Sequence, residues 1–249
     1  MDKLLTVVIP SYNVEKFLNQ TLDSFICDEA VMKKFEVIVV DDGSKDNTAK
    51  IGKEYADKYP DTFRVISKEN GGHGSTINCG IRNAVGKYFK VVDGDDWVNT
   101  ADFVKLVEDL EKTESEYVFT NYYEYYDDVN RQKAVDFPQF KDGTEYDFAD
   151  VANKVYIPMH ALVIKTSVLK DNNIVIDEKC FYVDVEYVMF PVPFVNKVTF
   201  FDLHVYMYRL ALSTQSVSIL GFQKHINDHL RVTFHMFDFY RDYISSDKA

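Results

Sequence analysis

The 249-residue sequence predicts an α/β fold: a Rossmann-like, doubly wound, mostly parallel sheet with helices on both faces. Three observations carry that expectation. Short β-branched runs alternate with segments of helical period through the first 110 residues. Those runs are apolar throughout, as strands covered on both faces are. Polar, glycine- and aspartate-rich punctuation falls at one strand end after another, the place where such sheets bind ligands.

The elements follow in order. Residues 4–9 (Leu-Leu-Thr-Val-Val-Ile) are the first strand, stopped by Pro10. Val14, Phe17, Leu18, Leu22, Phe25 and Ile26, at steps of three and four, make a helix face. Residues 35–40 are the next buried strand, ended by Asp41-Asp42-Gly43-Ser44. Residues 48–59 are helical in pattern, 63–66 a strand, and Gly71-Gly72-His73-Gly74 opens a helix over about 75–85. Residues 88–92 form a strand that ends in Asp93-Gly94-Asp95-Asp96, and 102–110 another helix. Beyond that the character changes. Residues 117–126 are a tyrosine-rich strand, 127–150 a polar, turn-prone stretch, and 161–165 a strand. A proline-interrupted helix is expected over 183–195, a strand over 198–208, and one amphipathic helix over 222–244.

Composition narrows the classes. With 46% hydrophobic and 27% charged residues the chain is neither disordered nor fibrous, and it is long enough for a sizeable core. A net charge of −12 argues against nucleic acid as a partner. Cys27, Cys79 and Cys180 are three and widely spaced, which fits neither a disulfide framework nor a zinc site. The amino-terminal apolar run is short for a signal peptide, and no stretch reaches 18 apolar residues. The expectation is a soluble, cytoplasmic protein.

Four motifs could carry chemistry, each with a plainer reading beside it. Asp93-x-Asp95, with Asp96, concentrates carboxylates where a hard divalent cation could sit against phosphate, or is an ordinary Asp-Gly turn. Asp41-Asp42-Gly43-Ser44 could accept from a base or a ribose, or cap a helix. Glycines 71, 72 and 74 could let amides approach an anion at a helix start; they form neither a dinucleotide nor a P-loop motif, and His73 reads as a loop hydrogen-bonder. Asp184 and Glu186, an acidic pair in an apolar segment, could supply a general base or merely favour a helix dipole.

Taken in order, Ile9-Pro10-Ser11-Tyr12-Asn13, Val39-Val40-Asp41-Asp42-Gly43-Ser44, Glu69-Asn70-Gly71-Gly72, Asn78 and Val92-Asp93-Gly94-Asp95-Asp96-Trp97 resemble the family 2 glycosyltransferases, across residues 4–110. Pro158-Met159-His160, the Asp184 segment and Tyr208-Arg209-x-x-x-Ser213 extend the likeness more weakly. The resemblance implies the glycosyltransferase A fold and an inverting, metal-dependent transfer from a UDP-sugar to a glycan or glycolipid hydroxyl. It places Pro10, Tyr12, Asp41, Asn70 and Gly71 around the uridine. Asp93 and Asp95 match the D-x-D element that holds Mn²⁺ or Mg²⁺, with Asp95 the direct ligand and Asp96 a candidate to share that role. Asp184 matches the base, and Arg209 and Ser213 a pyrophosphate clamp. Val183 stands where the family has glutamate, so Glu186 is a rival base. Two residues apart on a helix, Asp184 and Glu186 differ by about 200°, and Glu186 is expected to face solvent or cap its helix.

The organisation implied is a nucleotide-sugar half over 1–110, an acceptor half over 111–220, and a C-terminal helix over 221–249 that packs on its own domain, pairs with a second copy or touches a membrane's inner face. A sugar-phosphate nucleotidyltransferase, which would carry a glycine-rich loop at Pro10–Asn13, and a non-catalytic nucleotide-sugar module are the alternatives.

Overall fold

The computed structural model describes residues 3–210 and 219–245. The first half runs β1 (Leu5–Ser11), α1 (Leu18–Asp23), α2 (Glu29–Met32), β2 (Phe35–Asp41), α3 (Thr48–Lys58), β3 (Phe63–Ser67), α4 (His73–Asn83), β4 (Tyr88–Val91), β5 (Trp97–Val98) and α5 (Thr100–Asp109). The second runs β6 (Tyr117–Tyr126), β7 (Arg131–Val135), β8 (Thr144–Asp147), α6 (Phe148–Val151), β9 (Leu162–Lys165), α7 (Thr166–Asp171), α8 (Asp184–Met189), β10 (Lys197–Leu210), α9 (Ile219–Lys224) and α10 (Ile226–Ile244).

Both halves share one sheet of order β3-β2-β1-β4-β9-β6-β10-β5, with β7 against β6 and β8 against β10. The pairs β3–β2–β1–β4 and β6–β10 are parallel and hold most of the paired residues; β9 is antiparallel to both neighbours. Successive side chains point to opposite faces, which is why two cores form. Val7, Ile9, Val37 and Val39 pack with Phe25 and Phe103 on one side; Val8, Ile38 and Val40 pack with Ile77, Phe89 and Tyr187 on the other.

Pro10 sits inside β1 at little cost. Its carbonyl accepts from Gly94 N on the β4 side, where β4 pairing has already ended at Val8–Val91, so no strand partner misses its absent N–H. A Cβ on Gly94 would press within 2.9 Å of that same carbonyl, which is why the turn after β4 needs glycine there.

Four expectations change. The first helix is only six residues, because the amides of Asn13, Val14 and Glu15 donate to Ser44, Thr48 and Asp46 instead of opening a helix. The stretch 127–150 contains β7, β8 and the start of α6, whose side chains are mostly exposed. The helix over 183–195 is α8 followed by a 3₁₀ turn at Val192–Phe194, since Pro191 and Pro193 cannot continue it. The C-terminal helix is two, α9 and α10, broken at His225.

Candidate active site

Beyond the carboxyl ends of β1 and β4 lies a cleft of about 420 Å³. Pro10, Tyr12, Asp93, Asp95 and Asp184 line it, together with His73, His160, Tyr182 and Tyr208. Asp41, Asn70, Gly71 and Arg209, nominated beside them, are outside the lining, and Ser213 lies outside the described residues.

The glycine loop is organised by the protein itself. Asp42, buried, accepts from Gly71 N at 2.9 Å and Gly72 N at 2.8 Å, and pairs with Lys68 Nζ at 2.6 Å. The anion at the start of α4 is therefore a side chain of this chain, where the glycines alone suggested an approach for a ligand's anion. The loop also docks the segment that leads to α8: Lys179 N donates to Gly71 O at 2.6 Å, and a Cβ on Gly74 would collide with the Asp177 carbonyl. Asp42→Ala is expected to cost about 1–3 kcal/mol in a urea titration, because it removes the acceptor of the buried Gly71 amide and the half-buried Gly72 amide, while Lys68 keeps Glu69 O and Ser75 Oγ.

Asp41 accepts from Ser44 N, and Asn70 reaches back to Asp42 O; both support the loop behind Tyr12. Tyr12 itself is half exposed, with its ring at the cleft edge.

The Asp93–Asp96 turn carries the charge. Asp93 Oδ1 lies 2.7 Å from His73 Nε2; burial pushes that carboxyl up, but the imidazole prevails and holds it below the usual range. Burial and Asp93 push Asp95 up to about 6. Asp96 is buried and pushed well up by burial and both neighbours, while Tyr206 OH and Arg209 N donate to its oxygens at 2.6 and 2.7 Å. His160 stacks on Tyr208 with ring centres 3.9 Å apart, and burial takes its imidazole down to about 4, leaving a neutral nitrogen ligand.

Asp93, Asp96 and His160 each bring a ligand atom within 4.8 Å of the others, with Asp95 outside that group on the same cleft wall. Asp95 and Asp96, raised by burial and by their acidic neighbours beside Asp93, mark a turn that suits a hard divalent cation. The donor set fits Mn²⁺ or Mg²⁺.

Arg209 is buried beneath this turn. Its guanidinium donates to Asp95 O at 2.8 Å and Gln20 Oε1 at 2.6 Å, pairs with Asp127, and lies over the Trp97 and Phe17 rings. It braces the acidic turn from behind, a placement different from the clamp that the resemblance implies.

Asp184 opens α8 and faces the cleft. Burial raises its carboxyl above the usual value, with His73 opposing and Asp93 adding to the rise. Glu186 does point away, but not to solvent: it is fully buried, accepts from Asp177 N at 2.7 Å, and meets His235 Nδ1 at 2.9 Å. The 200° separation holds; the far side of α8 is covered by α10.

Asp42, His73, His160 and Tyr206 were not singled out as site residues by their sequence context. For His160 the signal was the Pro158-Met159-His160 match just before a strand; for His73, its place within the glycine loop.

Comparison with known proteins gives a consistent picture. The model of glycosyl transferase family 2 matches residues 6–172. Over 123 residues the chain is 37% identical to the glycosyltransferase EpsJ of Bacillus subtilis, covering 49% of this chain and 35% of that protein. It is 34% identical over 111 residues to the minor teichoic acid biosynthesis protein GgaB of the same organism, covering 45% of this chain and 12% of that one. The alignments thus span about a third or less of these relatives' lengths. Among solved structures, S. aureus TarS 1–349 with UDP-GlcNAc superposes with a TM-score of 0.72 at 21% identity, covering 92% of this chain and 65% of that one. That likeness shows the glycosyltransferase A fold.

Proposed function

The chain belongs to glycosyl transferase family 2, and from that premise we propose that it moves a sugar from a UDP-sugar to a hydroxyl of a glycan or glycolipid acceptor, with inversion at the anomeric carbon. The observation that carries this reading is the cleft itself, whose lining brings together Pro10 and Tyr12, the Asp93–Asp96 turn and a carboxylate, Asp184.

Tyr12 supplies an open ring face for the base. A divalent cation held by Asp93, Asp96 and His160, with Asp95 the further ligand that the family resemblance implies, would neutralise charge growing on the departing diphosphate. Asp184, in the same lining, removes the acceptor hydroxyl proton as that oxygen attacks the anomeric carbon. Burial keeps its carboxylate basic enough to do so. TarS with UDP-GlcNAc supports a uridine nucleotide, and GgaB, by its name, supports a cell-envelope polymer as the acceptor.

A panel of nucleotide sugars tests the reading by thermal stabilisation. UDP-hexoses are expected to raise the melting temperature at concentrations where ADP- and GDP-sugars do not; a ligand at 100 times its Kd contributes about 2.7 kcal/mol. Equal responses to every base would overturn the assignment of the Tyr12 wall.

A further inference from the structure

We propose that the outward face of α10 pairs antiparallel with the same helix of a second copy of this chain, making a two-fold dimer. Leu230, Phe234, Phe237, Arg241 and Ile244 follow one another at steps of four, three, four and three. That period of 3.5 residues is the a/d seam of a helix that winds against another helix. All five are exposed, Phe234 by 62%, Phe237 by 68% and Ile244 by 70%, although folding ordinarily buries Phe and Ile. The pairing stands apart from the transferase reading, since no residue of the seam lines the cleft.

The opposite side of α10 is already in use. Val232 is buried, and Met236 and Phe239 pack against the core. Phe239 stacks on Phe190 with ring centres 4.5 Å apart, and Tyr240 OH donates to Met189 O of α8 at 2.6 Å. The helix is thus held on its own domain by one apolar face, and the seam is a second one that points outward. With Ile226, the seam leaves on the order of 500 Å² of mostly apolar side chain in water. Two copies then bury on the order of 1,000 Å² between them, which reaches the lower end of specific interfaces.

Charge favours a copy of this chain and sets its direction. In an antiparallel pair with Phe234 opposite Phe237 of the second copy, the flanking e positions bring Arg231 opposite Asp238, twice by symmetry. The same register lays the stem of Arg241 over Leu230 of the second copy. A parallel pair would set Arg241 against itself and leave Arg231 and Asp238 facing uncharged positions. Each of these two has a neighbour on its own chain, Asp177 for Arg231 and Arg241 for Asp238, so the cross-pairs fix register more than they add strength. A membrane surface is the poorer match. Interfacial helices carry a basic polar face, whereas Arg231 and Arg241 are balanced by Asp238 and Asp242 on a chain of net charge −12.

Sedimentation equilibrium on the full chain over about 1–200 μM tests the pairing, because a contact of this size is expected to give a Kd of about micromolar order. Phe237→Asp puts a carboxylate into the seam from both copies and is expected to weaken the dimer at least about 30-fold. Its melting temperature is expected to stay near the parent's, the position being exposed. Phe234→Asp is expected to repeat the loss, and Asp238→Arg, which sets like charges opposite each other, to weaken the dimer about two- to tenfold. Val129→Asp, at an exposed apolar position outside α10, is expected to leave it unchanged. A parent that is monomeric throughout, or a dimer that survives either Phe237→Asp or Phe234→Asp, would overturn the proposal. So would flotation of the parent with phosphatidylglycerol vesicles that Phe237→Asp abolishes, since a membrane would then cover the seam. An Asp238→Arg dimer as tight as the parent's would overturn the antiparallel register.

Discussion

Asp184→Asn is expected to slow single-turnover sugar transfer by about 10²–10⁴-fold while UDP affinity stays near that of the parent. The amide keeps the shape of the side chain and removes its ability to take a proton. Asp184 opens α8 at the cleft wall, so the loss falls on the chemical step. The pH profile adds a second signature. Because burial raises this carboxyl above its ordinary value, the base is protonated and lost as pH falls through that raised value. Transfer by the parent should therefore decline on the acid side, and the residual rate of Asp184→Asn should not show that limb. Linkage gives stability the opposite sign: a carboxyl raised on folding contributes below its unfolded value and loses that contribution as pH rises through the folded one. Glu186→Gln is the contrast. It breaks a buried contact with His235 and is expected to lower stability by about 1–3 kcal/mol, with transfer within a few-fold of the parent. A dead Glu186→Gln beside an active Asp184→Asn would exchange the two roles.

Arg209→Met is expected to destabilise the fold by about 1–3 kcal/mol, as measured by urea denaturation, since Asp127 is partly exposed and water takes over its charge. The guanidinium is the cation that braces the Asp93–Asp96 turn, through Asp95 O, Asp127 and Gln20. Methionine fills comparable volume between Trp97 and Phe17 but leaves Asp127, and the crowded turn above it, without that positive charge. Arg209→Lys is expected to fall between the two, since an ammonium cannot reach all three acceptors from one position. A stable Arg209→Met that loses UDP affinity alone would show that the guanidinium serves the ligand directly.

How far the sequence reveals this molecule depends on the range of the interactions involved. Strands buried on both faces, such as Val37–Val40, declare themselves locally, and so do the residues that follow them; Asp93 and Asp95 stand out there as a carboxylate cluster, the resemblance adds Pro10 and Tyr12, and the four do share a cleft. β7 and β8 escape because most of their side chains are polar and exposed, their strand character coming from neighbours β6 and β10. The burial of Glu186 escapes for a similar reason: helical geometry gives its direction, but only the packing of α10, 49 residues along, decides what stands there. Asp42 looks like a helix cap beside Asp41, and its hold on Gly71 and Gly72 depends on a loop 29 and 30 residues away. Arg209 reads from its motif as a ligand clamp, while its acceptors lie as far off in sequence as Gln20, 189 residues away.

Calorimetry of UDP binding in the presence of Mn²⁺ and then of EDTA tests the central claim most directly. The crowded carboxylates Asp93, Asp95 and Asp96 repel a pyrophosphate, so binding is expected with Mn²⁺ and is expected to fall at least about tenfold, or about 1.4 kcal/mol, when the metal is removed. Asp95→Ala is expected to abolish that difference without loss of the fold. Equal affinity for UDP with Mn²⁺ and with EDTA in the parent protein would contradict the assignment of the cleft as a metal-assisted nucleotide-sugar site.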